Sequence, residues 1–204
     1  MKSWLSVFIL LIAIVLIPIL IQFHWTRNAM AKFAKRHAMT YEKTWWNFFS
    51  IGKIHGEVGH QAFFMGSMSS NYGFGPELDK EYEEWNYPQM HINIKGMPGK
   101  LVIQRRMPSN AIGVLPRKTR MPILETGDEA FDSQFKVIGY KDETLPWLTA
   151  RRRKTIVTFL SLEHYFVSNG GLRYGTSNTR TRLNEMEEAF AHLTAAQHEL
   201  QKIQ

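Results

Sequence analysis

The feature that most constrains this chain is an uninterrupted apolar run near its start. Residues 4–21 carry no charged side chain and are almost wholly aliphatic or aromatic. As a helix rising about 1.5 Å per residue, such a run extends roughly 27 Å, close to the ~30 Å hydrocarbon core of a bilayer. Trp4 and Trp25 stand at its two ends, where amphipathic rings prefer to lie. The run therefore predicts a transmembrane anchor over residues 1–25.

A cleaved signal peptide is the alternative interpretation, because it also begins with a basic residue followed by an apolar core. The run is longer than a usual signal core, however, and the bulky residues 22–25 replace the small residues of a cleavage site. We therefore favour the anchor. Basic residues are more numerous after the run than before it, so the positive-inside rule predicts a single-pass protein of the cell inner membrane with a cytoplasmic C-terminal domain.

Composition excludes several classes of function. A chain of 204 residues, 44% hydrophobic and 21% charged, suits one folded domain and a little more, rather than a multidomain enzyme or a disordered protein. The absence of cysteine excludes disulfide scaffolds, thiolate zinc sites and thiol nucleophiles. The formal net charge of +7 suits nucleic acid or anionic lipid. Beside a membrane anchor, anionic headgroups are the favoured partner and nucleic acid is disfavoured.

Residues 26–38 predict a short amphipathic helix at the membrane surface. Thr26 is a suitable N-cap, and Met30 and Phe33 recur at helical spacing on one side. A packed helix with a solvated basic edge is equally compatible with the pattern. The candidate contacts with headgroups are the four basic residues of this segment: Arg27, Lys32, Lys35 and Arg36.

Residues 39–204 predict one α+β domain, a mostly antiparallel sheet of about six strands with two or three helices on one face. Glycine-containing turns at residues 59–60, 96–99 and 169–171 predict three hairpins. A helix is expected to open at Pro146, and residues 179–203 predict a long terminal helix packed on the sheet. The exposed arc of the helix that opens at Pro146 adds four candidate lipid or partner contacts: Arg151, Arg152, Arg153 and Lys154.

A signature in residues 126–142 resembles one found in a family of uncharacterised bacterial membrane-anchored proteins. It consists of a Thr-Gly-Asp turn, a Phe-Asp pair and a Phe-x-Val strand. The resemblance implies an architecture, in which a basic helix, a hairpin with a Gly-Gly turn and a terminal helix follow the signature. It implies no reaction and supplies no catalytic residue.

The residues of the signature also have a structural interpretation of their own. Thr126 and Asp128 can cap a turn, and Asp132 can bond to backbone donors. Phe131 and Phe135 can fill the core face of the sheet.

No reaction chemistry is evident in the rest of the chain. His55 and His60 are five residues apart in a glycine-broken segment, unlike the helical His pair of a zinc protease. Neither a nucleophile elbow nor a phosphate-binding loop is present. We therefore predict a non-catalytic binding or accessory protein without a cofactor, with the aromatic residues 45–49 as a further contact surface and another membrane protein as a second candidate partner. The alternative is a membrane-bound hydrolase that uses Asp128, Asp132 and His55.

Overall fold

Helices and strands are mixed along the chain, as the α+β prediction requires. The computed structural model describes residues 2–43, 51–67, 88–106, 121–162, 164–168, 170–175 and 181–203. The elements in chain order are α1 (Lys2–Arg36), β1 (Thr40–Glu42), β2 (Lys53–Val58), β3 (Gln61–Ser67), β4 (Pro88–Asn93), β5 (Val102–Arg105), β6 (Ile123–Leu124), α2 (Glu129–Gln134), β7 (Phe135–Ile138), α3 (Lys141–Trp147), α4 (Ala150–Phe159), β8 (Tyr165–Ser168), β9 (Gly171–Gly175) and α5 (Leu183–Gln201).

The described strands form one antiparallel sheet in the order β1-β2-β3-β4-β9-β8-β5-β7-β6. The predicted antiparallel sheet is confirmed, with nine strands among the described residues where about six were expected. The hairpin at residues 59–60 is also confirmed, because Val58 pairs with Gln61. Gly59 and His60 both have positive φ angles, of 55° and 62°, which match the twist of a two-residue hairpin turn.

The hairpin of β8 and β9 lies in the middle of the sheet. It separates β4 from β5, since Ile92 of β4 pairs with Leu172 of β9 while Ile103 of β5 pairs with Val167 of β8. The backbone N–H of Ile94 then donates to the carbonyl of Gly170, 2.8 Å away. The predicted hairpin at residues 96–99 is therefore wrong: the chain does reverse there, but a later hairpin enters between the two strands.

One face of the sheet carries the main core. Alternate residues of each strand point to this face, and α1, α4 and α5 cover it. The terminal helix packs on the sheet as predicted, and a stripe of its residues faces the sheet, with Met186 and Leu193 fully buried. Gln197 lies in the same stripe, and its Nε2 donates to the carbonyl of Val58 over 2.9 Å. A polar residue is thus tolerated in the core because its amide is satisfied.

The segment 1–38 differs from the prediction. A single helix, α1, runs through both the predicted anchor and the predicted amphipathic helix, with Pro18 inside it. Its C-terminal part packs into the core through Met30, Phe33 and Ala34. In the part of the chain that the structure describes, no helix combines the length and the apolarity of a membrane span. The transmembrane helix in the predicted fold is therefore wrong: α1 is a helix of the α+β body whose second half belongs to the core.

The helix expected to open at Pro146 is two helices. Pro146 lies near the end of α3, and a second helix, α4, begins after Thr149. The hydroxyl of Thr149 accepts from the backbone N–H of Arg152 at 3.4 Å and caps α4. The break allows Trp147 and Leu148 to enter the core, where both are buried.

The close packing of β4 against β9 predicts that Gly171 cannot be replaced. A Cβ at this position would overlap the imidazole of His91 and the carbonyl of Ile92. Gly171→Ala should lower the free energy of unfolding by about 3 kcal/mol, because the obstructing carbonyl belongs to a central strand and cannot move aside. Chemical denaturation measures the change.

Gly99→Ala is the matched control, since a Cβ at Gly99 meets no heavy atom within 4 Å. Equal losses for the two variants would contradict the described register of β4 and β9.

Candidate functional site

The Thr-Gly-Asp signature forms a turn held by one carboxylate. Asp132 accepts from the backbone N–H of Thr126 at 2.9 Å, from its hydroxyl at 2.9 Å and from the backbone N–H of Gly127 at 3.2 Å. Gly127 has a φ of 80°, a conformation that glycine adopts without strain. Both oxygens of Asp132 are thus engaged within the turn. The structural interpretation of this residue is confirmed.

Asp128 has a structural role next to this turn. Its Oδ1 accepts from the backbone N–H of Phe131 at 3.1 Å, which caps α2. Its Oδ2 lies 3.1 Å from Nε of Arg153 on α4. The carboxylate therefore ties two helices together, while Phe131 and Phe135 lie buried beneath the turn.

His55 is far from the two aspartates. It lies on β2, and its Nε2 is 3.5 Å from a carboxylate oxygen of Glu42 on β1. Asp132 lies in α2, which leads directly into β7. Strands β2 and β7 are six places apart in the sheet, or about 29 Å at ~4.8 Å per strand. The structure does not bring the three predicted hydrolase residues together.

The basic arc of α4 divides into two half-buried and two exposed side chains. Arg152 stacks over the ring of Trp147 at 4.9 Å and donates to the carbonyls of Trp147 and Ile203. Arg153 binds Asp128 and the carbonyl of Leu148. These two residues hold the helical layer together. Arg151 and Lys154 are exposed.

The four basic residues of α1 predicted to contact lipid lie along the half of the helix that packs on the body. Arg36 binds Glu187 of α5 at 3.2 Å, and His37 binds the same carboxylate at 2.7 Å. Lys32 and Lys35 are exposed, and Arg27 is half-buried. Their predicted contact with lipid stays a prediction.

The second face of the sheet has a buried polar centre that the sequence did not indicate. Gln89, Ser168 and Arg173 are only 8%, 4% and 3% exposed. His91 pairs with Arg173 across β4 and β9, and burial, with the charge of Arg173 second, lowers the pKa of His91 to about 3. Among the described residues, Nε2 of His91 and Oγ of Ser168 have no hydrogen-bond partner, so the two do not form an activated serine–histidine pair.

Two further points of the sequence analysis concern the aromatic residues 45–49 and metal binding. The aromatic residues 45–49 lie outside the described residues. Within the described ranges, no three acidic or histidine side chains gather where they could hold a metal ion.

Comparison with known proteins reveals a shared fold. No family model and no curated protein matches the chain. Its structure is similar to the crystal structure of the mycobacterial trehalose monomycolate transport factor A, TtfA, with a TM-score of 0.53 and 11% identity. The match covers 86% of this chain and 94% of that one. At this identity the likeness is one of fold, and the family suggested by residues 126–142 stays a prediction.

The turn held by Asp132 yields a prediction about stability. Asp132→Ala removes three hydrogen bonds and should lower the free energy of unfolding by about 2 kcal/mol. Glu129→Ala is the control, because Glu129 lies in the first turn of the same helix and is exposed. Urea denaturation of both variants measures the difference. Equal stability of Asp132→Ala and the wild type would contradict the structural role.

The buried imidazole predicts a loss of stability in mild acid. His91 has a pKa of about 3 in the folded chain, whereas an unfolded histidine titrates near ~6.5. The contribution of the neutral His91 side chain to the free energy of unfolding is complete above the pKa of histidine in the unfolded chain. It falls by about 1.4 kcal/mol per pH unit as the pH drops from about 6.5 towards 3, because only the unfolded chain takes up the proton.

His91→Gln should therefore make the stability less dependent on pH between about 6.5 and 5. Denaturation midpoints measured over this range test the prediction, and an unchanged slope in the variant would contradict it.

Proposed function

We propose that this chain is a non-catalytic accessory protein that acts by binding other components of a transport process at a membrane. The observation that carries the proposal is that the candidate catalytic side chains make contacts that hold the fold together or lie far apart. Asp132 closes a turn, Asp128 caps a helix and binds Arg153, and His55 lies on a distant strand. Side chains engaged in this way support the fold and do not form a nucleophile, a base and an oxyanion site at one point.

The fold supports an accessory role in transport. The protein whose fold is similar is a mycobacterial transport factor, and the similarity extends over most of both chains. Proteins that share a fold often differ in function, so the similarity supports the proposal only by analogy. The main support comes from the residues of this chain.

Affinity purification after cross-linking in gently solubilised membranes tests the accessory role. The tagged wild type should recover the same membrane proteins at a fixed ratio in repeated preparations, and His55→Ala should recover them equally well. An unrelated tagged membrane protein is the background control. Recovery of the chain alone would contradict the proposal.

The hydrolase alternative is tested on the same purified protein. A panel of chromogenic phosphate esters, carboxylic esters and glycosides should show no turnover beyond that of a preparation carrying His55→Ala. Turnover that is lost in His55→Ala and in Asp132→Asn, while both variants stay folded by circular dichroism, would contradict the non-catalytic proposal.

A further inference from the structure

Helix α1 leaves the body at the C-terminal end of α5. The two helices are antiparallel, because Arg36 and His37 contact Glu187 and the rings of Phe33 and Phe190 are 5.3 Å apart. With an equal rise per residue, Lys202 near the end of α5 lies level with about residue 21 of α1. The part of α1 before that level extends beyond the body, by roughly 16 Å at position 10.

The projecting part of α1 exposes large apolar side chains. Leu10, Ile14 and Ile17 are 60%, 58% and 53% exposed. Side chains of this size are stabilised when an apolar phase covers them.

The N-terminal end of α4 lies at the same end of the body. Arg152 donates to the carbonyl of Ile203, just beyond α5. A hydrogen bond from Lys202, its charge, and then the charges of His198 and Arg151 lower the pKa of Glu199, so Arg151 also lies near the end of α5.

The sheet brings three lysines to this end as well. Gln197 of α5 contacts the β2–β3 turn. The strand register places the residues between β4 and β5 at the same end of the strands as this turn. That segment carries Lys95 and Lys100, and Nζ of Lys100 lies 5.0 Å from the ring centre of Tyr140, next to Lys141.

Six exposed basic residues thus lie at the end of the body from which α1 projects, and we call them the basic end: Lys95, Lys100, Lys141, Arg151, Lys154 and Lys202. The described exposed carboxylates at this end are Glu57, Asp142, Glu143 and Glu199. Glu199 already binds Lys202 at 2.8 Å. The basic end therefore keeps an excess of positive charge beside exposed apolar side chains.

We propose that the basic end and the exposed apolar residues of α1 dock together onto a membrane surface rich in anionic headgroups. The exposed apolar side chains, which lie up to roughly 16 Å beyond this end, enter the near leaflet while the basic side chains meet its headgroups. Docking is separable from the proposed accessory role, because lipid binding can be measured on the purified chain without any partner.

Flotation of the purified full chain with phosphatidylcholine vesicles, with and without phosphatidylglycerol, tests the proposal. Binding should require the anionic lipid and weaken with added salt, since exposed charges are screened. Equal binding to both vesicle types, or none to either, would overturn the proposal.

Charge reversal locates the surface. Lys95→Glu/Arg151→Glu should weaken binding to anionic vesicles by at least about twenty-fivefold, because each basic residue near such a surface contributes about fivefold. Lys32→Glu/Lys35→Glu is the control with the same charge change, at exposed positions about 16 Å or more along α1 from the level of Lys202. The control should bind like the wild type. Equal weakening by both pairs would overturn the assignment to the basic end.

Discussion

The pairing of β4 with β9 is the interaction on which the rest of the structure depends. It joins the strands of the first half of the chain, β1 to β4, to those of the second half in one sheet. Without it, each half would expose the edge of a central strand, with a row of unpaired backbone groups. The pairing also completes the surface on which α5 lies, since this helix contacts both strands.

The sequence predicted the elements better than it predicted their neighbours. Residues 53–58 and 61–65 are short, β-prone segments on either side of a glycine turn, and the two strands pair as expected. Residues 96–99 offer a similar local signal, yet the strands on either side are separated by β8 and β9. A turn motif reports the conformation of its own residues, whereas the neighbour of a strand depends on burial across the whole sheet.

The difference between local and long-range interactions also explains which parts of the candidate site could be predicted from the sequence. The role of Asp132 follows from residues close to it in the chain, so a capping interpretation was sufficient. The buried polar centre of the second face is different: His91 and Arg173 lie at alternating strand positions, where polar side chains normally indicate solvent. Their burial depends on tertiary structure that periodicity does not report. For α1, hydropathy identified the helix, but the packing of its second half set its role.

Amide hydrogen exchange followed residue by residue tests most directly the claim that one sheet is completed by β4 and β9. Central strands open only with global unfolding, whereas edge strands open locally. The amides of β4, β8 and β9 should therefore be the slowest to exchange and should share one opening free energy, while those of β1 and β6 exchange faster. Fast exchange in β9, or different opening free energies in the two halves of the chain, would contradict the account.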